Sequence, residues 1–364
     1  MAPQVSVVVP TYQRRELVMR AVRSVAAQTF RDFELVVVDD GSTDGTRAAV
    51  EELGIRCLRQ PNRGPAAARN AGIRATGGRL VAFLDSDNRW LPNHLATIVS
   101  ALGAHEEAVL ATSAPRAPSA GLVDPLPRQL VASHVEFVSA TAIRRAALEA
   151  VGGFDESLPA DEDGDLWLRL AFEGPFALLR SRTVAIRSTP DSVWKRSRSS
   201  GRFLEGFESS SQRLVEELRD DDPRLLLRRA EGRLAFVHAL RALDGGDADA
   251  AAHALRRACR LLPELSTEPD AVLRRLTVLV PAARERSGAL RVVATAAEAW
   301  PDAGAPTALL LRSYAGLVAI RLGRIGEARR LLFGLPAGPA LRFAAGSRSL
   351  ATRVAQRRLE RLLR

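Results

Sequence analysis

Aspartates stand directly behind two of the most apolar runs in this chain, and this arrangement restricts the fold more than any other feature. The runs end at Val38 and Leu84. An unbroken run of Val, Leu and Ile is typical of a strand buried on both faces of a parallel sheet. Ligands of open α/β sheets bind just beyond the carboxyl ends of such strands. We therefore expect Asp40, Asp85 and Asp87 to face one crevice.

Carboxylates that converge in a crevice need a neutralising partner, and a divalent cation carrying a phosphorylated ligand supplies one. Helix capping is the alternative, because Asp, Ser and Thr behind a strand favour turns and N-caps. Capping explains Ser42 and Asp44, which precede a helical stretch. It does not explain Asp85 and Asp87, because no helix is predicted there until after Pro92.

Strand and helix patterns alternate along the first half of the chain. The predicted strands are 5–9 (ended by Pro10), 33–38, 55–58, 80–84 and 184–187, and a helix with an alanine face is predicted at 64–75. This alternation predicts an α/β domain with a doubly wound, mostly parallel sheet. The Pro-, Ser- and Gly-rich stretch 114–127 is predicted to be a long loop, and such loops often bind ligands.

Beyond about residue 200 the pattern is wholly helical, which predicts domains at 1–200 and 201–364. Two helical pairs share a glycine turn, an alanine five residues later and then a proline: Gly246, Ala251 and Pro263; Gly323, Ala328 and Pro336. This order is typical of tetratricopeptide-like repeats, and a generic helical bundle is the equal alternative. A third, degenerate pair is predicted between 272 and 300.

The net charge of +10 belongs to the helical half, and we predict no nucleic-acid partner from it. Residues 201–364 carry 28 basic against 19 acidic side chains, whereas residues 1–200 carry 24 against 23. The segment 347–364 places arginines around one apolar side. Such a helix can lie on an anionic membrane, although packing on the preceding helices is the favoured interpretation.

Cysteine usage and hydropathy indicate a cytoplasmic protein, with peripheral contact at the inner face of the membrane as the alternative. Cys57 and Cys259 form neither a metal-ligand spacing nor a disulfide framework. No run approaches about 18 apolar residues, the length needed to span a membrane. The N-terminus lacks the basic and apolar regions of a signal peptide.

Six motifs in this order resemble the inverting family 2 glycosyltransferases over roughly residues 5–195. They are 5–12 (VSVVVPTY), 38–44 (VDDGSTD), 62–70 (NRGPAAARN), 83–87 (FLDSD), 152–156 (GGFDE) and 162–167 (EDGDLW). The resemblance implies the GT-A fold of the nucleotide-diphospho-sugar transferases, followed here by an all-α C-terminal domain. It also implies a nucleotide-sugar donor, most often with UDP or GDP, and Mn²⁺ or Mg²⁺.

The resemblance implies donor-binding roles at the ends of the first two strands. Asp40 is expected to accept the imide N–H of a uracil ring, which favours a UDP-sugar. Pro10, Thr11 and Tyr12 are expected to line the base and the ribose.

The resemblance also assigns roles to the turn after the strand 80–84. Asp85 and Ser86 are expected to face the ribose and diphosphate, and Asp87, with Asp85, to bind the metal. The metal would offset charge on the leaving diphosphate. Arg69 is expected to meet the donor phosphates or this turn, and a structural salt bridge is the equal alternative.

Asp163 is the predicted general base. Inversion is a single in-line displacement, so one carboxylate on the acceptor side must take the acceptor proton. The family pattern selects Asp163 from an acidic run at a helix start, where capping is the alternative for Asp161, Glu162 and Asp165. A helix N-terminus stabilises a carboxylate, so we expect the pKa of Asp163 to be lowered.

Three positions depart from the family pattern. Asn88 stands where many relatives carry a further Asp. Gly164 replaces a bulky aromatic residue, which predicts an enlarged acceptor pocket. Thr189 takes the place of a His that follows the last strand in relatives.

We predict metal-dependent, inverting transfer of one sugar to an acceptor chosen by the loop 112–135 and the helical half. The absence of a Gln-x-x-Arg-Trp motif predicts a non-processive enzyme. The acceptor is predicted to be an envelope glycan or lipid-linked saccharide, or else a peptide, protein or secondary metabolite. The helical half is also a candidate surface for a homodimer. The alternative function is a non-catalytic, nucleotide-sugar-binding scaffold that acts through its helices.

Overall fold

A computed structural model describes most of the chain as two compact units. The first unit contains residues 1–129 and 133–192, and the second contains residues 130–132 and 193–364. Thr189, Pro336 and the segment 347–364 lie outside the described residues. The described residues are 3–115, 120–126, 130, 135, 137–187, 200–221, 224–267, 269, 272–273, 275–276, 280–283, 286–302 and 304–332.

The first unit is an α/β structure with an eight-stranded sheet. Its strands are β1 Val5–Thr11, β2 Phe33–Asp39, β3 Arg56–Arg59, β4 Leu80–Phe83, β5 Arg89–Trp90, β6 Leu110–Ser113, β7 Gly121–Val123, β8 Thr141–Arg144, β9 Phe176–Leu179 and β10 Val184–Ala185. Its helices are α1 Arg15–Ala26, α2 Thr46–Glu51, α3 Pro65–Arg74, α4 His94–Ala104, α5 Arg145–Ala150 and α6 Glu162–Glu173, and a 3₁₀ turn covers Val138–Ala140.

The sheet has the order β3-β2-β1-β4-β8-β6-β9-β7, while β5 and β10 form a separate two-stranded sheet. The pairs among β1 to β4 are parallel. Strand β8 is antiparallel to both β4 and β6, and β6 is again parallel to β9. The predicted loop at 114–127 was wrong in part, because β7 lies within it and pairs with β9 at the sheet edge.

Two hydrophobic cores cover the two faces of this sheet, as expected of a doubly wound fold. Val5, Val7 and Val9 of β1 pack in the core that contains the apolar residues of α1 and α4. Val8 packs in the other core, which contains those of α3 and α6. Alternate residues of a strand point to opposite faces, so an all-valine strand fits a sheet covered on both sides.

Strand β1 continues past Pro10, so the predicted end at this proline is wrong. Pro10 pairs with Val38 of β2, while the pairing of β1 with β4 stops at Val8. Beyond Val8, β1 therefore has a neighbouring strand on one side only. Proline lacks an N–H and is tolerated where one side of a strand is unpaired. The strand can thus carry Thr11 to the edge where β2 also ends.

The second unit is entirely helical in its described residues. Its helices are α7 Arg202–Asp221, α8 Arg224–Gly245, α9 Ala248–Leu261, α10 Glu264–Thr267, α11 Arg286–Ala299, α12 Pro306–Arg321 and α13 Ile325–Leu332, with a 3₁₀ turn at Pro281–Ala283. None of the described helices is long and apolar enough to cross a membrane.

The two predicted glycine turns have the same geometry. Gly246 and Gly323 both adopt left-handed φ values, 79° and 75°. In each turn the residue after the glycine donates its N–H to a carbonyl five positions earlier, at 2.9 Å. This bond closes a Schellman-type helix end, which favours glycine. Ala251 and Ala328, five residues after the glycines, are fully buried. The helix–glycine–helix unit is thus repeated, while its tetratricopeptide-like nature stays a prediction.

Candidate active site

Asp40 lies just beyond β2 and is held by three donors. Its Oδ1 accepts hydrogen bonds from Gln60 Nε2 at 2.8 Å and from the Arg63 backbone N–H at 2.9 Å. Its Oδ2 accepts from the Gly64 N–H at 2.8 Å. Its own N–H donates to the Thr11 carbonyl at 2.9 Å. A carboxylate has about four acceptor positions. Asp40 therefore fixes the loop before α3 and keeps about one position for a ligand.

The turn behind β1 is bonded to the turn behind β2. Gln13, whose φ is 52°, donates its backbone N–H to Ser42 Oγ and its Nε2 to Thr43 Oγ1, both at 2.9 Å. Thr11 is buried, and its Oγ1 has no hydrogen-bond partner among the described residues. Tyr12 beside it is 44% exposed. A buried hydroxyl without a partner is costly, so this turn offers a donor and an aromatic surface to a ligand.

Asp44 caps two helices at once, which confirms its predicted capping role. Its Oδ1 accepts the Thr46 N–H at 3.1 Å at the start of α2, and its Oδ2 accepts the Arg15 N–H at 3.0 Å at the start of α1. Ser42 does not cap either helix through its side chain, because its Oγ accepts the N–H of Gln13 instead. The two turns are therefore fixed relative to one another by side chains from both strand ends.

Both carboxylate oxygens of Asp85, just beyond β4, have protein donors. Oδ1 accepts from Arg69 Nη2 at 2.9 Å, and Oδ2 accepts from Ser139 Oγ at 3.0 Å. The buried Arg69 also donates Nη1 to Glu162 Oε1 at 2.9 Å, and its guanidinium lies over the Phe154 ring. Burial alone lowers the pKa of Arg69, but the two carboxylates outweigh it and raise that pKa. Arg69 thus stays charged and links β4 to the start of α6.

Asp87 is held by one arginine and is poorly compensated. Its Oδ2 lies 2.9 Å from Arg14 Nη1, and its side chain is 12% exposed. Burial, followed by repulsion from Asp85, raises the pKa of Asp87 although Arg14 opposes the change. Ser86, between the two aspartates, is buried. The electrostatic attraction of Asp87 would therefore stabilise an additional cation beside it.

Asp85 and Asp87 fit a cation that completes its coordination with substrate phosphates. Within the described ranges, no group of three or more His, Cys, Asp or Glu side chains could hold a metal ion. Mg²⁺ usually takes one or two carboxylates together with phosphate and water oxygens. Asp85 and Asp87 can supply the two carboxylates. Asp87 is the stronger candidate, because protein donors already hold both oxygens of Asp85.

Asp163 lies half-buried in the first turn of α6. Its Oδ1 accepts the Gly164 N–H at 2.8 Å. Burial, followed by repulsion from Glu162 and Asp161, raises the pKa of Asp163 to about 7, while Arg69 acts in the opposite direction. The expectation that the helix N-terminus lowers this pKa is therefore wrong, because desolvation and like charges are the larger effects.

Asp161 fills the space beside Gly164. A Cβ added to Gly164 would lie 2.5 Å from Asp161 Oδ1. Asp161 is buried and adopts a left-handed φ of 64°, which is uncommon for a residue other than glycine. The enlarged pocket expected beside Gly164 is thus not formed there, because this carboxylate occupies the position. Asp165, in contrast, pairs with Arg169 Nη2 at 2.7 Å.

The structure brings most of the predicted residues to one end of the sheet. Arg69 bonds to Asp85 and to Glu162, the neighbour of Asp163, while Asp87 pairs with Arg14. Thr11, Tyr12 and Asp40 lie at the adjacent ends of β1 and β2. Two contacts were not predicted. Arg14 carries no distinguishing pattern among the many arginines of the sequence. Ser139 is 54 residues from Asp85, and only the antiparallel insertion of β8 beside β4 brings them together. No sequence signal could have identified either residue.

Comparison with known proteins shows which family most of this first unit resembles. Residues 6–151 match the glycosyl transferase family 2 profile. This stretch is similar to glycosyl transferase family 2. The predicted resemblance is confirmed, and its motifs at 38–44, 62–70 and 83–87 lie within the matched stretch.

Relatives align with this chain over about a hundred residues. An uncharacterized glycosyltransferase of Nostoc sp. is 42% identical over 102 residues, which is 26% of this chain and 32% of the relative. The UDP-Glc:alpha-D-GlcNAc-diphosphoundecaprenol beta-1,3-glucosyltransferase WfgD of Escherichia coli is 38% identical over 100 residues, 26% of this chain and 40% of that protein. The match thus spans less than half the length of these relatives.

Solved structures show that the fold is of the GT-A type, as expected. Staphylococcus aureus TarS 1–349 in complex with UDP-GlcNAc aligns with a TM-score of 0.53 and 19% identity, over 88% of this chain and 92% of that chain. The mannosyltransferase PcManGT from Pyrobaculum calidifontis, in complex with GDP-Man and Mn²⁺, aligns with a TM-score of 0.52 and 21% identity, over 81% and 87%. At these identities the likeness concerns the fold alone.

Proposed function

We propose that this protein transfers one sugar from a nucleotide-sugar, with a UDP-sugar favoured, to a glycan acceptor with inversion at the anomeric carbon. One observation carries the proposal. The guanidinium of Arg69 bonds at 2.9 Å to Asp85 on the donor side and at 2.9 Å to Glu162, the neighbour of Asp163. A carboxylate suited to donor binding and the immediate neighbour of the proposed general base therefore flank one buried cation.

A lipid-linked glycan is the acceptor that the relatives favour. The E. coli relative is named for transfer from UDP-Glc to a diphosphoundecaprenol-linked sugar. A Campylobacter jejuni relative, 36% identical over 104 residues, is likewise named a GalNAc(5)-diNAcBac-PP-undecaprenol beta-1,3-glucosyltransferase. Peptide, protein or secondary-metabolite acceptors are the alternatives. A lipid-linked acceptor places the reaction at a membrane surface, where the segment 347–364 is the predicted contact.

Donor binding is assigned to the ends of β1, β2 and β4. The free hydroxyl of Thr11 and the exposed ring of Tyr12 would contact the base and ribose, beside the remaining acceptor position of Asp40. Asp85 and Ser86 would face the ribose and diphosphate. Mn²⁺ or Mg²⁺ held by Asp87, with Asp85, would offset the charge that develops on the departing diphosphate.

The proposed reaction is a single displacement in which Asp163 accepts the proton of the acceptor hydroxyl. The acceptor hydroxyl oxygen forms a bond to the anomeric carbon while the bond from that carbon to the diphosphate oxygen breaks. The electron pair of the broken bond leaves with the diphosphate, and the acceptor proton passes to the carboxylate of Asp163. A pKa of about 7 suits this role, because a general base works best when its pKa lies near the working pH.

A donor panel tests the proposed function. Nucleotide release is measured with UDP-, GDP- and dTDP-sugars, with and without Mn²⁺, for the wild type and for Asp87→Ala. The matched control is Glu51→Ala, which removes an exposed carboxylate that pairs with Arg47 on α2. We expect metal-dependent release from one donor, most strongly a UDP-sugar, that is lost in Asp87→Ala and kept in the control.

Calorimetry completes this test, because some transferases protect their donor from water. Release from no donor, together with no metal-dependent binding of any donor to the wild type, would reject the enzymatic function. The non-catalytic scaffold would then be the better interpretation.

A further inference from the structure

Ser139 is a buried residue whose hydroxyl is fully used around Asp85. It lies in the 3₁₀ turn before β8 and has no exposed surface. Its Oγ accepts hydrogen bonds from the Asp85 backbone N–H and from Asn88 Nδ2, and donates one to Asp85 Oδ2, each at 3.0 Å. A hydroxyl has one proton and two acceptor positions, so no capacity remains. Trp90 Nε1 fixes the Ser139 carbonyl at 2.7 Å.

Asn88 is oriented so that its amide nitrogen faces Ser139. Its Oδ1 accepts the backbone N–H of Arg187 at 3.0 Å. Of the two polar groups of the amide, only the oxygen can accept a hydrogen bond. The NH₂ group must therefore point to Ser139 Oγ, where it donates at 3.0 Å. The residue is 5% exposed, so water does not readily replace either bond.

The asparagine decides where the single proton of Ser139 goes. Because Asn88 is a donor to Oγ, the hydroxyl proton stays on the bond to Asp85 Oδ2. A carboxylate at position 88 would instead accept that proton and add a negative charge beside Asp85. Asn88 and Ser139 are therefore complementary as donor and acceptor.

We infer that Ser139 and Asn88 act as a positioning pair that holds the Asp85 carboxylate in the orientation from which it contacts the donor. This inference rests on the proposed function. Arg69 fixes Oδ1 of the same carboxylate. The bond from Ser139 to Oδ2 therefore determines how the Asp85 carboxylate is rotated about its own axis. Neither residue touches the reacting atoms; both act through Asp85.

Binding measurements on the full chain test this pair. UDP affinity is measured by calorimetry in the presence of Mn²⁺ for Ser139→Ala, Asn88→Asp and the double variant. The control is Thr112→Val, which removes a buried hydroxyl bonded to Thr141 Oγ1 at 3.0 Å in the same sheet. We expect each single variant to weaken UDP binding about tenfold, the loss typical of a hydrogen bond to a charged group. The control is expected to bind like the wild type.

Two further readouts separate positioning from general stability. The double variant should bind about as weakly as either single variant, because residues of one network are not additive. Ser139→Thr keeps the hydroxyl and should bind UDP better than Ser139→Ala. If Ser139→Ala does not fold, Asn88→Asp, which keeps the shape of the side chain, decides the outcome.

The possible failures can be told apart. Single variants that bind UDP as well as Thr112→Val, or whose losses add up fully in the double variant, overturn the positioning pair while the proposed function stands. A wild type that binds no nucleotide overturns the proposed function, and the inference with it.

Discussion

The carboxyl ends of β2 and β4 both carry aspartates, yet these aspartates are held in different ways. Two of the three donors to Asp40 are backbone N–H groups. Asp85 and Asp87 are held mainly by side chains, including Arg69 and Arg14. A side chain can turn away when a ligand arrives, whereas a backbone donor cannot leave without unfolding its loop. The end of β2 is therefore chiefly a scaffold, and the end of β4 is the place where partners can exchange.

The end of β2 and the end of β4 also differ in how well the charges of their carboxylates are compensated. Around β4 and α6, burial and neighbouring carboxylates raise the pKa values of Asp87 and Asp163. Groups in that situation reduce the stability of the folded protein when they ionise. Functional sites commonly carry such a cost in exchange for activity. The contrast between the two strand ends can be tested by four predictions.

Asp163→Asn is expected to give the largest effect. The variant cannot accept the acceptor proton, so kcat should fall about 100- to 10,000-fold, the usual contribution of a general base. Turnover with donor and acceptor measures the loss. At pH 8 the same variant should melt at a higher temperature than the wild type, because a carboxylate with a raised pKa is replaced by a neutral group. Full activity in Asp163→Asn would assign the base to another residue.

The pH dependence of activity should report the pKa of about 7 at Asp163. The ionised form is the active one, so kcat/KM should rise with pH and level off above about 7. Well below that value it should change about tenfold per pH unit. A rate profile between pH 5 and 9 checks this, with the melting temperature followed in parallel to exclude unfolding. A profile already flat at pH 5 would contradict the raised pKa.

At pH 8, Asp40→Asn should destabilise the protein, whereas Asp87→Asn should not. An amide NH₂ at position 40 would face the Gly64 N–H, and we expect a loss of about 1–3 kcal/mol for an unsatisfied buried donor. For a unit of this size each kcal/mol lowers the melting temperature by about 2–4 °C. Calorimetric melts of both variants beside the wild type measure the difference.

The expected effect of Asp87→Asn on stability follows from the raised pKa of Asp87. Ionisation is disfavoured in the folded state, so stability falls as pH rises from the ordinary aspartate range, and a neutral amide side chain at this position avoids this cost. The Asp87→Asn melting temperature should therefore equal or exceed that of the wild type at pH 8. The reverse order, with Asp40→Asn harmless and Asp87→Asn destabilising, would exchange the roles of the two strand ends.

Arg14→Gln should give the smallest effect. It removes the guanidinium that lies 2.9 Å from Asp87 Oδ2, so Mn²⁺ should bind a few-fold more tightly in the absence of nucleotide. A partly exposed ion pair contributes about 1 kcal/mol or less, which limits the gain. Calorimetric titration with Mn²⁺ measures it, with Arg47→Gln on α2 as the control. Weaker Mn²⁺ binding would mean that Arg14 supports the site rather than competes for it.

The parts of this fold that local pattern determines were predictable. Buried apolar runs identified β1, β2 and β4, and the aspartates behind them identified the edge where the candidate site lies. The end of β1 was not predictable. Pro10 is tolerated within this strand because the pairing of β1 with β4 already stops at Val8, which leaves one side of the strand unpaired. Helix geometry at Gly246 and Gly323 was predictable from glycine alone, since the left-handed turn requires little else.

The electrostatics of the site depend on contacts between distant residues, and the sequence does not contain them. The pKa of Asp163 depends on its burial and on the position of Asp161, which adopts a rare backbone conformation. The contact between Ser139 and Asp85 depends on the order of strands in the sheet. Residue types at the site were thus predictable, whereas their partners and charge states were not.

The close contact between Asp161 and Gly164 has a consequence for protein engineering and for evolution. Any side chain at position 164 meets the Asp161 carboxylate, so an aromatic residue introduced there alone must first displace it. Positions 161 and 164 are therefore expected to be epistatic: a large residue at 164 should be tolerated better when Asp161 is replaced by a smaller residue. A library that explores substitutions at position 164 should diversify both positions together, since a scan of single substitutions would miss pairs that fit only in combination.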